Sequence, residues 1–131
     1  MKKLPQKVID AWKDRKGPVV FVTTTKQGIP NAIYATCVSL YDDSTIVIAD
    51  NYFNKTKANI TSGSKASILF ITSEDKSYQI KGSILYHKSG NVFDDMKQWN
   101  PKKHPGHGAA AVKVEQVYSG AEKIHIALAR V

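Results

Sequence analysis

The sharpest local chemistry in the sequence is Asn54-Lys55-Thr56-Lys57. Two ammonium groups flank a hydroxyl donor where an apolar β-type run gives way to a short helical pattern. A helix N-terminus offers unpaired backbone N–H groups and a partial positive charge, and both attract phosphate. The chemistry would be capture of a dianionic phosphate by charge-assisted donors. The same tetrapeptide also suits a capped, solvated surface helix. No glycine-rich stretch precedes the Lys-Thr pair, so the pattern is not that of a phosphate-binding ATPase loop.

Other constellations carry less. His104 and His107 stand in Pro101-Lys102-Lys103-His104-Pro105-Gly106-His107-Gly108. Two imidazoles with no third ligand nearby read as a polar loop, and no metal site is assigned. Cys37 is the only cysteine. A disulfide within the chain and a multi-cysteine zinc or iron–sulfur site are thereby excluded. On a predicted strand it reads as a small core residue, and a lone thiol suits a reducing, cytoplasmic setting. The adjacent carboxylates Asp42-Asp43 and Asp94-Asp95 suit turn geometry or opposite faces of an element rather than a catalytic pair. No Ser/His/Asp spacing stands out.

The elements that must position these groups follow from periodicity. Leu4, Val8 and Trp12 recur at four-residue spacing, which predicts a helix ended by Gly17-Pro18. Residues 18–25 are β-branched and apolar and read as a strand, followed by a turn at Gly28. Strands are expected at 31–40 and 45–49, with a tight turn between them. Residues 54–63 form one or two helical turns. Strands follow at 65–72 and 77–87, with Gly82 marking a bulge or a close backbone approach. A second amphipathic helix covers 91–99, and strands at 109–118 and 124–131 close the chain. The early loops are too short for parallel crossovers, so the sheet is antiparallel. About seven strands with short helices predict a small closed or split β-barrel.

Size and charge set the outer bounds. The chain has 131 residues, which predicts one domain over 1–131. Nineteen Lys and Arg against 11 Asp and Glu leave a net charge of +8. Nucleic acid, an anionic surface, a phosphorylated small molecule or simple solubility would each suit that excess. The residues after Lys2 and Lys3 are amphipathic and lack an apolar signal core, and no apolar run approaches the ~20 residues of a membrane span. A cytoplasmic protein without a membrane partner is expected.

In their order, these motifs resemble the FMN-binding split-barrel family, the pyridoxamine 5′-phosphate oxidase-like proteins, and especially its short bacterial FMN-binding members. The resemblance rests on Val20-Phe21-Val22-Thr23-Thr24 with Gly28-Ile29-Pro30-Asn31, on Asn54-Lys55-Thr56-Lys57-Ala58-Asn59-Ile60, and on Ile80-Lys81-Gly82-Ser83-Ile84. It implies a mainly β, six- to seven-stranded antiparallel split barrel. It also implies a homodimer with FMN at the subunit interface. Lys55 and Thr56 would grip the FMN phosphate, with Asn54 adjacent. Tyr34, Ala35, Thr36 and Cys37 would line the isoalloxazine. Asp50, Asn51 and Tyr52 would meet the ribityl chain or ring edge, and Trp99 is a candidate aromatic lid. The only arginines, Arg15 and Arg130, lie far from the phosphate motif in sequence. The chain is shorter than true pyridoxamine-phosphate oxidases and lacks their C-terminal Arg- and His-bearing segment, so that reaction is not expected.

The resulting expectation is a small flavin-dependent oxidoreductase or electron carrier, working with a small-molecule redox partner or an electron-transfer protein. No catalytic side chain is assigned. Two alternatives remain: the same fold without FMN, as a haem- or F420-type binder or a stress protein, or a basic barrel that binds single-stranded nucleic acid. The lysines are scattered over most elements, which disfavours the nucleic-acid reading.

Overall fold

The computed structural model describes residues 2–128. Three helices and eight strands occur in the order α1 (Gln6–Lys13), β1 (Val19–Thr24), β2 (Pro30–Ala35), β3 (Val38–Asp42), β4 (Thr45–Asp50), α2 (Lys55–Thr61), β5 (Ala66–Ile71), β6 (Ser77–His87), α3 (Asn91–Trp99), β7 (Gly108–Ser119) and β8 (Glu122–Ile124). All the strand pairings are antiparallel. Seven strands lie side by side as β2-β1-β5-β6-β7-β4-β3, and β8 adds to β7. The expected mainly β, antiparallel split barrel with short helices is the observed fold.

Two strand expectations are corrected. The run 31–40 is not one strand: it divides into β2 and β3, which lie at opposite edges of the seven-strand path. Only Thr36 and Cys37 separate them. Three residue steps of extended chain reach roughly 10 Å, so the two edges must curl toward each other. The expected last strand, 124–131, is also different. Pairing with β7 ends at Ile124, residues 125–127 are not strand, and 129–131 lie outside the described residues.

The curled sheet has two apolar faces. Inside, Val19 and Phe21 of β1, Ile46 and Ile48 of β4, Ile68 and Phe70 of β5, Ile80 of β6, and Val112 and Val117 of β7 form the main core. Leu4, Val8, Ala11 and Trp12 join it from the helical stripe. α1 is held at both ends: the Leu4 N–H donates to Asp43 O at 2.7 Å, and the Ser73 N–H donates to Asp14 O at 3.0 Å. It therefore plugs one end of the barrel between the β3–β4 and β5–β6 turns. Outside, α3 sets Met96 against Val47, Ala49, Ala109 and Ala111. Covered on both faces, β4 is buried at every position.

Gly82 sits where the β6–β7 register shifts between Lys81 and Gly82. A Cβ at that position would lie 1.9 Å from the Lys113 carbonyl oxygen and 3.1 Å from Val112 Cγ1. Gly82→Ala should therefore cost about 2 kcal/mol or more through backbone displacement, measured as a lowered urea midpoint. An unchanged midpoint would mean that the two strands can part without penalty.

Candidate functional site

The Thr36–Cys37 link, where the sheet changes edge, opens a cleft of about 290 Å³. Its walls come from Ile33, Tyr34, Ala35, Thr36 and Cys37 on one side, and from Ala49, Asn51, Tyr52, Phe53 and His104 on the other. A second hollow of about 450 Å³ lies beside it, lined by Thr36, Cys37, Val38, Ser39, Trp99, Pro101, Lys103 and His104. Thr36, Cys37 and His104 border both.

The basic tetrapeptide is tied to the same strand that walls the cleft. Thr56, in the first turn of α2, is buried, and its Oγ1 accepts a hydrogen bond from Asn31 Nδ2 of β2 at 3.1 Å. On the next turn Asn59 Nδ2 donates to Thr23 Oγ1 at 3.0 Å, pinning α2 to β1. Asn54 is the N-cap residue, but its side chain makes no capping bond. Lys55 is exposed. The Lys57 ammonium lies 4.5 Å from the centroid of the Tyr86 ring. Among the described residues, no carboxylate pairs with either lysine. Both charges are available to an anion.

Asp50 and Asn51 have buried side chains engaged within the protein. Asp50 Oδ1 accepts the Phe53 N–H at 3.1 Å, and Oδ2 accepts the Tyr86 hydroxyl at 2.5 Å. Asn51 and Asn100 exchange amide hydrogen bonds at 3.0 and 2.9 Å. Asn51 Oδ1 also accepts the Gly106 N–H at 3.0 Å. These contacts fasten the cleft floor and draw in the loop after α3. Tyr52 is exposed, and its hydroxyl lies 3.0 Å from His104 Nδ1. The histidine pair separates: His104 turns to Tyr52, while the His107 backbone N–H donates to Asp50 O at 2.8 Å. Cys37 is half-buried at the cleft and packs toward the α3 cluster. Trp99 borders the second hollow, and its Nε1–H donates to Asp95 Oδ2 at 3.2 Å.

The sequence motifs therefore gather Tyr34, Ala35, Thr36, Cys37, Asn51 and Tyr52 at one cleft. Lys55 and Thr56 are joined to it through Asn31. Trp99 stands apart, beside the second hollow. Sequence reasoning missed Asn31, Phe53, Tyr86, Asn100 and Gly106. Asn31 was within reach as the polar residue at the start of a strand facing the Lys-Thr motif. The Asn51–Asn100 pair spans 49 positions and left no local signal.

The matches to known proteins agree with this architecture. Residues 5–120 match the family model described as pyridoxamine 5′-phosphate oxidase. The chain belongs to that family. An uncharacterized protein of Methanocaldococcus jannaschii is 28% identical over 113 residues, covering 82% of this chain and 76% of that one. HupZ of Group A Streptococcus superposes with a TM-score of 0.77 at 21% identity, covering 88% of this chain and 93% of that chain. An FMN-binding protein from Syntrophomonas wolfei superposes at 0.75 with 17% identity, covering 87% and 84%. The pyridoxamine 5′-phosphate oxidase-like fold is broad in what it serves. An F420 reductase, the haem storage protein HutZ of Vibrio cholerae and General Stress Protein 26 of Bacillus anthracis share it. Their TM-scores are 0.60 to 0.64 at 10–14% identity, over 80–89% of this chain and 91–94% of theirs. No helix among the described residues is long and apolar enough to cross a membrane.

The Asp50–Tyr86 contact yields a pH signature. Burial, then the hydrogen bond and the negative charge of Asp50, raise the Tyr86 pKa above its ordinary 10.0. The unfolded chain ionises first, so this stabilisation is complete below pH 10 and is lost as pH rises past it. Tyr86→Phe should flatten the fall in denaturant midpoint as pH rises above about 10. It should also cost about 1–3 kcal/mol at neutral pH by leaving Asp50 Oδ2 without its donor. Parallel alkaline slopes for the two proteins would refute the assignment.

Proposed function

We propose that the protein is an FMN-binding flavoprotein, serving as a small flavin-dependent oxidoreductase or electron carrier. The reading is carried by β2, which reaches both halves of a site suited to FMN. Near its start, Asn31 holds Thr56 beside Lys55; at its end, Tyr34 and Ala35 wall the cleft. From Asn31 to Ala35 is roughly 13 Å of extended chain. A phosphate would be held by the Lys55 ammonium, the Thr56 hydroxyl and nearby N–H groups, with Lys57 adding charge. Ala35, Thr36, Cys37, Ala49 and Phe53 provide a largely apolar wall for the ring system, and Tyr52 with His104 closes its far side. Asp50 and Asn51 contribute by fixing the 50–53 turn, since their side chains are engaged within the protein. When bound, FMN supplies hydride and single-electron chemistry that side chains lack. The chain's own part is to grip the phosphate, orient the ring and exclude water from one face. The partner is a small redox molecule or an electron-transfer protein.

The site is completed by a second copy. On the outer face Tyr34, Val20 and Leu69 form one cross-strand row through β2, β1 and β5. Tyr34 is 77% exposed and Leu69 43%. Clustered apolar exposure beside a cleft supports an interface, here that of a homodimer. A haem reading has one specific support, the imidazole of His104 on the cleft wall, because histidine is a common haem-iron ligand.

Purified protein should be yellow or take up FMN, and it should elute at twice the monomer mass. Lys55→Ala should weaken FMN by about tenfold or more, since a charge-assisted contact contributes about 1.5–3 kcal/mol. Its unfolding midpoint should stay at the wild-type value. Colourless protein that cannot be reconstituted would sink the flavin reading, and an intense haem band on reconstitution with haemin would favour the alternative.

A further inference from the structure

The hollow of about 450 Å³ beside the cleft has a chemical character of its own. One wall is apolar: Val38, the Trp99 indole and Pro101. The Trp99 N–H is already given to Asp95, so the indole offers its ring rather than a donor. Lys103 and His104 also line the hollow. Among the described residues, no carboxylate lines either this hollow or the cleft beside it. The Lys103 ammonium also forms no ion pair among the described residues.

The loop that brings these groups is fastened at several points. The His104 N–H donates to Pro101 O at 3.0 Å. Lys97 Nζ donates to Pro105 O at 3.0 Å, and the Gly106 N–H to Asn51 Oδ1 at 3.0 Å. Gly106 has φ 55°, and a Cβ there would come within 2.9 Å of Lys97 Nζ. Nothing larger fits without moving these ties. These ties fix the backbone that carries Lys103 and His104 beside the hollow, while the Lys103 side chain itself is exposed.

We infer that this hollow is the substrate subsite of the proposed flavin site, and that it takes a flat organic anion: a carboxylate on an aromatic or conjugated body. The assignment rests on the flavin reading for its role in the reaction, though not for binding of the anion itself. Lys103 meets the carboxylate, while Trp99, Pro101 and Val38 cover the apolar body. The shared border of Thr36, Cys37 and His104 places such a molecule against whatever fills the first cleft.

The test uses benzoate and its uncharged isostere benzamide. Each is titrated into the purified protein with and without added FMN, following the Trp99 indole resonance by NMR and the flavin absorbance. Benzoate should shift the Trp99 signal saturably and perturb the flavin spectrum, and benzamide should bind at least about tenfold more weakly. Lys103→Glu should weaken benzoate by about tenfold or more while FMN affinity stays within about twofold. Equal binding of benzamide, an unaffected Lys103→Glu variant, or no saturable benzoate shift overturns the subsite. FMN binding without benzoate binding refutes the subsite alone. A Trp99 shift by benzoate in protein that refuses FMN refutes the flavin reading and leaves the anion site standing.

Discussion

A two-residue link governs this protein. Thr36 and Cys37 join β2 to β3, strands that occupy opposite edges of the seven-strand path. A chain segment that short cannot cross a flat sheet seven strands wide, so the sheet must curl until its edges meet. Curling creates an enclosed core, and that core needs an end plug, which the stripe of α1 supplies. It also leaves a seam at the link, where the backbone of one edge gives way to the other. Both hollows lie along that seam. Fold and site are consequences of one topological constraint.

Holding the seam in shape falls to buried polar groups rather than to more apolar surface. Asp50 ends β4 and Asn51 follows it where the chain must leave the sheet, and each would be costly to bury unpartnered. Phe53 and Tyr86 satisfy Asp50, while Asn100 and Gly106 satisfy Asn51. These bonds commit the turn before α2, the end of α3 and the following loop to one arrangement. Gly108 belongs to the same device, since a Cβ there would come within 2.3 Å of the Tyr86 ring. Lys57 of α2 touches this network only through the face of the Tyr86 ring, and Lys55 is exposed, so neither ammonium is neutralised by a carboxylate among the described residues.

Much of the architecture was legible locally. The Leu4, Val8, Trp12 stripe could bury only as a helix, and the apolar runs of β1, β4 and β5 announced strands. Gly82 was marked as a close approach, and the Lys113 carbonyl is what approaches it. The break at Thr36–Cys37 was invisible because no Gly, Pro or turn sequence accompanies it. The chain leaves β2 after Ala35, bends at Cys37 and re-enters the sheet at Val38 on the opposite edge. The last strand was overextended because apolar residues continue past Ile124 while that edge of β7 passes to other partners: the Val114 N–H donates to Ser44 O, β4 pairs from Lys113 on, and Ala127 O accepts the Lys3 N–H.

At the site the division is similar. Residue order alone marked Lys55 and Thr56 as a phosphate-type motif and placed Tyr34, Ala35, Thr36 and Cys37 on one stretch, because their chemistry and spacing are local. Tertiary structure decided that Asp50 and Asn51 act inward as braces, that Trp99 borders a different hollow from Tyr52, and that Lys103 and His104 face the seam. Those outcomes depend on partners 36 to 55 positions away. Side-chain type sets what a residue can bond, but only the closed sheet determines which groups lie within the few ångströms over which such bonds act.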